Sequence, residues 1–173
     1  FDGKQFVLTG NYPYDISSQI FFKMLDYKDL IPCCTGMIQR EVAQRMAAAP
    51  GSKIYGILSV LIQAWYDVEY LFTVDENVFN PPPKVKSAVI RMTRNEVTDI
   101  GCDEKLFKRV VKTVFNQRRK MLRVSLRQIF NMGKPADGFY EQDIMTKRPE
   151  QLSIPQFVEL TNMVEEQLAN YQQ

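Results

Sequence analysis

An α/β domain followed by a small, purely helical one is the fold class this sequence predicts, and three observations predict it. Residues 1–95 alternate short apolar runs of strand length with segments whose apolar residues recur at helical spacing. A polar linker follows from Asn95 to Gly101, and beyond it only the helical period persists. The charge changes along with the pattern. Residues 1–102 carry 10 basic and 11 acidic side chains, residues 103–130 nine and two, and residues 131–173 three and seven, which together give the chain's 22 and 20. The expected domains are therefore 1–95 and 96–173.

Phe6 to Thr9 reads as a short buried strand ending at Gly10. Asp15 or Ser17 is positioned to cap a helix on Ile20, Phe21, Met24 and Leu25. Ile31 to Ile38 is an apolar run of strand length. Arg40 to Ala49 is Ala-rich and helical, and Pro50-Gly51 stops it. Ile54 to Trp65 carries Ile57, Leu58, Leu61 and Ile62 on one helical face. Val68 to Val74 alternates as a strand does. Phe79-Asn80-Pro81-Pro82-Pro83 excludes regular structure, because prolines supply no backbone donors. Ser87 to Met92 is again β-rich, so a parallel sheet closed by a hairpin-like pair is expected. In the second part Asp103 opens a helix through Leu106, Val110 and Val114. Arg118 to Phe130 forms another, Gly133-Lys134-Pro135 interrupts the chain, and Ser153-Ile154-Pro155-Gln156 is a capping box before a helix on Phe157, Leu160, Val164 and Leu168.

Composition removes several function classes. No histidine occurs, which excludes His-activated nucleophiles and His metal ligands. Cys33, Cys34 and Cys102 are odd in number and two are adjacent, which suits neither a disulfide framework nor a zinc site. Reduced, buried thiols of a cytoplasmic protein are expected instead, with no metal. No apolar run approaches the ~18–20 residues of a membrane span, and no signal-peptide pattern is present. The chain begins with Phe1 and is read as processed or as a piece of something longer. A net charge of +2 is too small for a general polycation, so any nucleic-acid surface must come from local clustering. The cluster lies in residues 103–130.

Three motifs carry chemistry. Asn11-Tyr12-Pro13-Tyr14 directly follows a strand. An exocyclic adenine amine is a poor nucleophile, because its lone pair is delocalised into the ring. Acceptors that take hydrogen bonds from its N–H groups favour a tetrahedral nitrogen, and the Asn11 amide oxygen with a carbonyl near Pro13 suits that task. Tyr14 offers a flat face to a base taken out of its helix. The same four letters also fit an ordinary strand-to-helix turn. In the second motif, Phe79 to Ser87, three prolines hold Phe79 as a rigid face for the other side of such a base, and Lys84 can meet a phosphate. The alternative is a proline-rich connection with Phe79 in the core. The third motif is Phe115-Asn116-Gln117-Arg118-Arg119-Lys120. Arg119, Arg123 and Arg127 fall on one helical stripe, while Leu122, Leu126 and Ile129 fall on another. Arg118, Arg119, Lys120, Arg123 and Arg127 are the candidate RNA contacts, against a merely solvated basic face.

In this order the motifs resemble the small-subunit rRNA adenine N6-dimethyltransferase family (the KsgA type). The resemblance runs nearly end to end and includes Gln39 to Arg45, Gly56 to Val60 and Arg148 to Ser153. It implies the second half of a Rossmann-like, S-adenosylmethionine-dependent methyltransferase domain over 1–95 and a helical RNA-contacting domain over 96–173. It also implies N6-dimethylation of adjacent adenines in 16S rRNA during ribosome biogenesis, with the assembling small subunit as partner. Asn11 and the Pro13 carbonyl would hold the target amine, Tyr14 and Phe79 would sandwich the adenine, and Asn11 would also border the cofactor. Two departures stand out. Tyr12 occupies a position where the family often has Leu, and Asp15 one where it often has Asn. In addition, no two glycines are spaced as Gly-x-Gly, so the cofactor loop the family carries is absent. The chain alone is therefore expected to be inactive. A non-enzymatic RNA-binding or ribosome-assembly module is the alternative that the basic segment leaves open.

Overall fold

A computed structural model describes residues 2–130 and 134–170. It divides into two units, 1–49 with 58–97 and 50–57 with 98–173. The Gly133 chain break expected from the sequence lies outside the described residues.

The first unit contains β1 (Val7–Asn11), α1 (Ser17–Asp26), β2 (Cys33–Gln39), α2 (Arg40–Ala47), most of α3 (Ile57–Gln63), β3 (Tyr66–Val74) and β4 (Ser87–Arg94). Its four strands lie in the order β1-β2-β4-β3. Only β1 and β2 are parallel, in the register Val7 to Cys33 through Asn11 to Met37. β4 runs antiparallel to both β2 and β3, with a bulge between Tyr70 and Phe72. The sheet is thus mixed where a largely parallel one was expected. A strand reached through the long proline-bearing connection can enter between its predecessors in either direction, and periodicity does not encode which. Cys34, Ile38, Ala88, Ile90 and Met92 alternate onto one face and are buried there, as a half-covered sheet requires. Phe21, Met24 and Leu25 of α1 and Val60, Leu61 and Ile62 of α3 are buried as well.

Three local expectations fail in this unit. β1 is not buried: Val7 is 57% exposed, because the strand is paired on one side only. Neither Asp15 nor Ser17 caps α1; Ile16 stands at the N-cap without a side-chain bond, and the Ser17 hydroxyl donates to the Tyr14 carbonyl at 3.5 Å. Of this unit's two thiols only Cys34 is fully buried, since Cys33 is half-covered, as is Cys102 of the second unit.

The second unit contains α4 (Glu104–Phe115), α5 (Leu122–Ser125) and α6 (Ile154–Asn170), joined by short 3-10 turns. Asp103 caps α4 by accepting the Leu106 N–H at 2.7 Å. The capping box of α6 forms, with the Ser153 N–H donating to Gln156 Oε1 at 2.9 Å and the Gln156 N–H to Ser153 Oγ at 3.4 Å. Pro50–Ile57 belongs to this unit. The Gly51 N–H donates to the Glu150 carbonyl at 2.7 Å and the Tyr55 hydroxyl to the Leu152 carbonyl at 2.8 Å. The Tyr55 ring stacks edge-on with Phe115, their centroids 6.1 Å apart.

The continuous helix expected over Arg118 to Phe130 does not form. Residues 116–119 are turns, Met121 is extended at φ −63 and ψ 153, and only Leu122–Ser125 is α-helical before a 3-10 turn over Leu126–Gln128. The Leu122 N–H donates to the Lys147 carbonyl at 2.9 Å, a partner outside any helix. Tertiary bonding thus overrides a local preference worth only tenths of a kcal/mol per residue. Leu122, Leu126 and Ile129 are buried nonetheless. Among the described residues no helix is long and apolar enough to cross a membrane.

Candidate functional site

The site begins where β1 ends. The Tyr12 N–H donates to the Met37 carbonyl at 2.9 Å, which carries the β1–β2 ladder one step past Asn11. The Tyr12 ring is 6% exposed and occupies a slot made by two glycines, Gly10 and Gly36, that face each other in the ladder. A Cβ on Gly36 would stand 2.0 Å from the Gly10 carbonyl oxygen and 2.5 Å from Tyr12 Cε2. A residue without a side chain is therefore required. The Tyr12 hydroxyl donates to the Thr35 carbonyl at 3.1 Å and lies 3.2 Å from Cys34 Sγ, and Phe21 meets the ring edge-on at 5.1 Å between centroids. Burial pushes the Tyr12 phenol far above its ordinary pKa, with the Cys34 hydrogen bond adding to the shift. Burial also pushes the Cys34 thiol up to about 11, against a smaller opposing pull from its bond to Tyr12. Both groups stay protonated at neutral pH and act as anchors for the backbone, not as bases or nucleophiles.

This anchor holds Asn11 and Pro13, both exposed, on either side of Tyr12. Among the described residues the Pro13 carbonyl accepts one long bond, from the Ile16 N–H at 3.4 Å, and a carbonyl has two lone pairs, so acceptor capacity remains. Tyr14 is half-buried, and its hydroxyl is hydrogen-bonded to Ser87 Oγ at the start of β4, which fixes the ring plane. On the other side, β3 leads into a 3-10 turn over Glu76–Val78, begun by Asp75 accepting the Asn77 N–H at 2.8 Å. Phe79 and the prolines follow. Asn11, Pro13, Tyr14 and Phe79 line one open cleft of about 350 Å³, together with Met37, Pro81 and Pro83. The cleft lies at the C-terminal ends of the two parallel strands, where ligands of open α/β sheets bind. Four residues named from two separated motifs thus line one cleft.

Lys84 lines a neighbouring notch with Arg40 and Lys86 and not the cleft itself. The remaining basic candidates belong to the second unit. Arg118 turns inward, with its guanidinium bonded to the Tyr55 carbonyl, 3.7 Å from Glu150 Oε2 and stacked over Phe115 at 5.7 Å. Arg119, Lys120, Arg123 and Arg127 are exposed. Arg127 lies over the Tyr140 ring at 5.0 Å and donates through Nε to the Arg123 carbonyl at 3.0 Å. Arg119 precedes the helical turn, so these arginines do not form the single helical stripe that i, i+4, i+8 spacing suggested. Among the described residues no group of His, Cys, Asp or Glu side chains is arranged to hold a metal ion.

The sequence motifs did not mark the Tyr12 ring, Gly36 or Met37 as parts of this region. Gly36 had a signal: a glycine inside an apolar strand run marks a close approach of another group. The others had none, since each acts through a partner far along the chain.

Comparison with known proteins agrees with this architecture. The family model for ribosomal RNA adenine dimethylase matches residues 2–166. Ribosomal RNA small subunit methyltransferase A of Phocaeicola vulgatus is 73% identical over 170 residues, which is 98% of this chain and 60% of that protein. Its counterpart in Bacteroides thetaiotaomicron is 72% identical over 168 residues, 97% of this chain and 62% of the relative. A solved dimethyladenosine transferase from Plasmodium falciparum, 25% identical, superposes with a TM-score of 0.79 over 93% of this chain and 67% of its own. The fold is that of an α/β methyltransferase with a helical C-terminal part. The chain spans about 60% of the length of the curated relatives it matches.

Proposed function

The chain belongs to the ribosomal RNA adenine dimethylase family, and from that premise we propose that it carries the adenine-holding cleft and an RNA-facing surface of an enzyme that dimethylates N6 of adjacent adenines in small-subunit rRNA. Its setting would be the assembling small ribosomal subunit in the cytoplasm. The convergence of Asn11, Pro13, Tyr14 and Phe79 on one cleft carries this reading. Tyr14 and Phe79 take the two faces of an adenine removed from its stack. Asn11 Oδ1 and the Pro13 carbonyl accept hydrogen bonds from the amine, which draws the nitrogen towards a tetrahedral geometry and frees its lone pair from the ring. Because the acceptors are held by the Tyr12 anchor, they need no reorganisation when charge develops on the nitrogen.

S-adenosylmethionine is the methyl donor this reading requires. The residues present do not fit a cradle for it, since the chain has no Gly-x-Gly loop. Asn11 alone is assigned a place beside it. RNA contacts are assigned to Lys84 in the first unit and, separately, to the exposed Arg119, Lys120, Arg123 and Arg127 in the second. Arg118 instead holds the Pro50–Ile57 segment.

The test is Asn11→Ala in the full-length enzyme. Single-turnover methylation should fall by ~10²–10³ while RNA affinity is kept, as expected for a polar group that acts on the reacting centre. RNA carrying 2-aminopurine at the target position should brighten on binding to the unmodified enzyme. Tyr14→Ala and Phe79→Ala should each weaken that capture by ~1–3 kcal/mol. Near-normal methylation by Asn11→Ala would overturn the role of Asn11, whereas RNA binding without methylation by the unmodified full-length protein would favour a non-enzymatic RNA-binding module.

A further inference from the structure

Beside the base cleft, in the same unit, the β2-to-α2 corner and the Lys84–Lys86 segment enclose a notch of about 230 Å³. Gln39 and Ser87 are register partners, and the Arg40 N–H donates to the Lys86 carbonyl at 3.0 Å, so Arg40 and Lys86 are held at adjoining strand ends. Lys84 follows Pro83, a wall of the cleft, and lines the notch, so the two depressions share a wall. Arg40, Lys84 and Lys86 line the notch together with Glu41 and Glu76. None of these five side chains is in an ion pair among the described residues. Arg40 Nε and Glu76 Oε2 are both buried without a hydrogen-bond partner. A buried guanidinium nitrogen with no acceptor is costly, and an anion that engages the rest of the same group offsets part of that cost.

We propose that this notch binds one backbone phosphate of the RNA strand whose base enters the neighbouring cleft. The inference rests on reading the cleft as a base site. A nucleotide in the cleft carries a phosphodiester on either side of its sugar, and the shared Pro83–Lys84 wall brings one of them to the notch. The guanidinium fork of Arg40 matches phosphate oxygens, and the two ammonium groups add point charges. Three cations against two carboxylates leave one net positive charge, which suits a single phosphodiester and disfavours a polyanionic ligand such as free pyrophosphate. The notch thus fixes the register of the strand relative to Asn11, a positioning task that base stacking, tolerant of sliding, does not perform.

The test uses the full-length enzyme and target RNA in which single phosphodiesters around the target adenine are replaced, one at a time, by uncharged methylphosphonates. Loss of affinity should concentrate at one linkage, by about tenfold. In Arg40→Gln/Lys86→Gln, affinity for unmodified RNA should fall by a similar factor and the methylphosphonate at that linkage should cost nothing further. Lys84→Gln, a change at an exposed side chain, should reproduce the pattern more weakly and guards against misfolding of the double variant. Equal losses at every linkage, or a double variant still sensitive at the same linkage, would overturn the proposal. The 2-aminopurine signal separates the two readings: if it stays dark in the unmodified enzyme while the linkage map is sharp, the cleft assignment fails and the phosphate site stands.

Discussion

Arg94 and Arg40 stand at opposite ends of the same sheet and are used in opposite ways. Arg94 closes β4 at the end where β2 begins. Its Nη1 donates to the Trp65 carbonyl at 2.8 Å, Nη2 to the Val97 carbonyl at 3.0 Å and Nε to the Lys28 carbonyl at 3.2 Å, with Asp29 3.9 Å away. Its side chain is 16% exposed and lies over the Tyr66 ring at 5.7 Å. Arg40 follows β2 at the far end and, among the described residues, makes no ion pair and has a buried Nε without a hydrogen-bond partner. A guanidinium whose donors meet backbone carbonyls is a clasp for the fold. One with a buried Nε that no group meets, beside a notch, is not used by the fold in that way. The second unit repeats the contrast within two residues, since Arg118 is bonded inward and Arg119 is exposed.

The largest effect that would break this contrast is on stability. Arg94→Ala leaves three carbonyls without their charged donor and should destabilise the first unit by ~2–4 kcal/mol. Arg40→Ala should not destabilise it, because the change removes a buried donor that no group meets. Urea unfolding midpoints measure both, and comparable losses would mean that Arg40 is a clasp as well.

At the cleft end, Gly36→Ala should cost ~1–3 kcal/mol by overpacking, because the new methyl meets the Gly10 carbonyl and the Tyr12 ring. It should also reduce methylation more than RNA binding, since Asn11 is next to the displaced anchor. Tyr12→Phe keeps the ring and removes its hydroxyl bonds, so a loss of ~1 kcal/mol is expected. A neutral Gly36→Ala in both assays would show that the strands yield there and that Asn11 is held by something else.

Smaller still is the effect of replacing Arg119, Arg123 and Arg127 together by Gln. Stability should stay within ~0.5 kcal/mol, because the buried Leu122, Leu126 and Ile129 are untouched. The slope of log affinity against log salt should fall by ~0.7 per lost phosphate contact. An unchanged slope would place the RNA contacts elsewhere, with the notch at Arg40 as the first candidate.

The mildest perturbation is alkali. The folded pKa of Cys34 is raised from 9.0 to about 11, and that of Tyr12 is raised as well. A raised folded pKa contributes stability that is complete below the unfolded value and is lost as pH climbs through the folded one. The first unit should therefore hold its stability up to about pH 9 and lose it progressively towards pH 11. Cys34→Ala/Tyr12→Phe should flatten that decline in pH-dependent unfolding. A decline of the same steepness in the double variant would mean that other buried phenols, Tyr66 among them, dominate.

Much of the site was legible before the fold was known, because it is built from contiguous motifs. Asn11, Pro13 and Tyr14 are neighbours in sequence, and the prolines after Phe79 announce a rigid loop at once. The order of strands and helices was legible for a similar reason, since hydrophobic periodicity is a local record of which face is covered. What failed were statements needing a distant partner. The helix drawn through Arg118 to Phe130 had good local propensity and no Gly or Pro to stop it. It breaks at Met121 because Leu122 bonds to Lys147. Tyr12 looked like an incidental departure from the family pattern until its ring was found over the Gly10 and Gly36 pair.

The sequence by itself determined which residues form strands, which motifs line the cleft, and that basic charge gathers after Asp103. Each of these is carried by composition or spacing within about 20 residues, the reach of a helix or a strand pair. Only the tertiary structure decided the direction in which β4 enters the sheet, the assignment of Pro50–Ile57 to the helical unit, and which arginines are exposed. Whether a guanidinium is a strut or a ligand-binding group depends on the carbonyls within its reach. For Arg94 one of these lies 29 residues away, and for Arg118 it lies 63 residues away. Hydrogen-bond satisfaction is short in space and unbounded along the chain, so no local pattern encodes it.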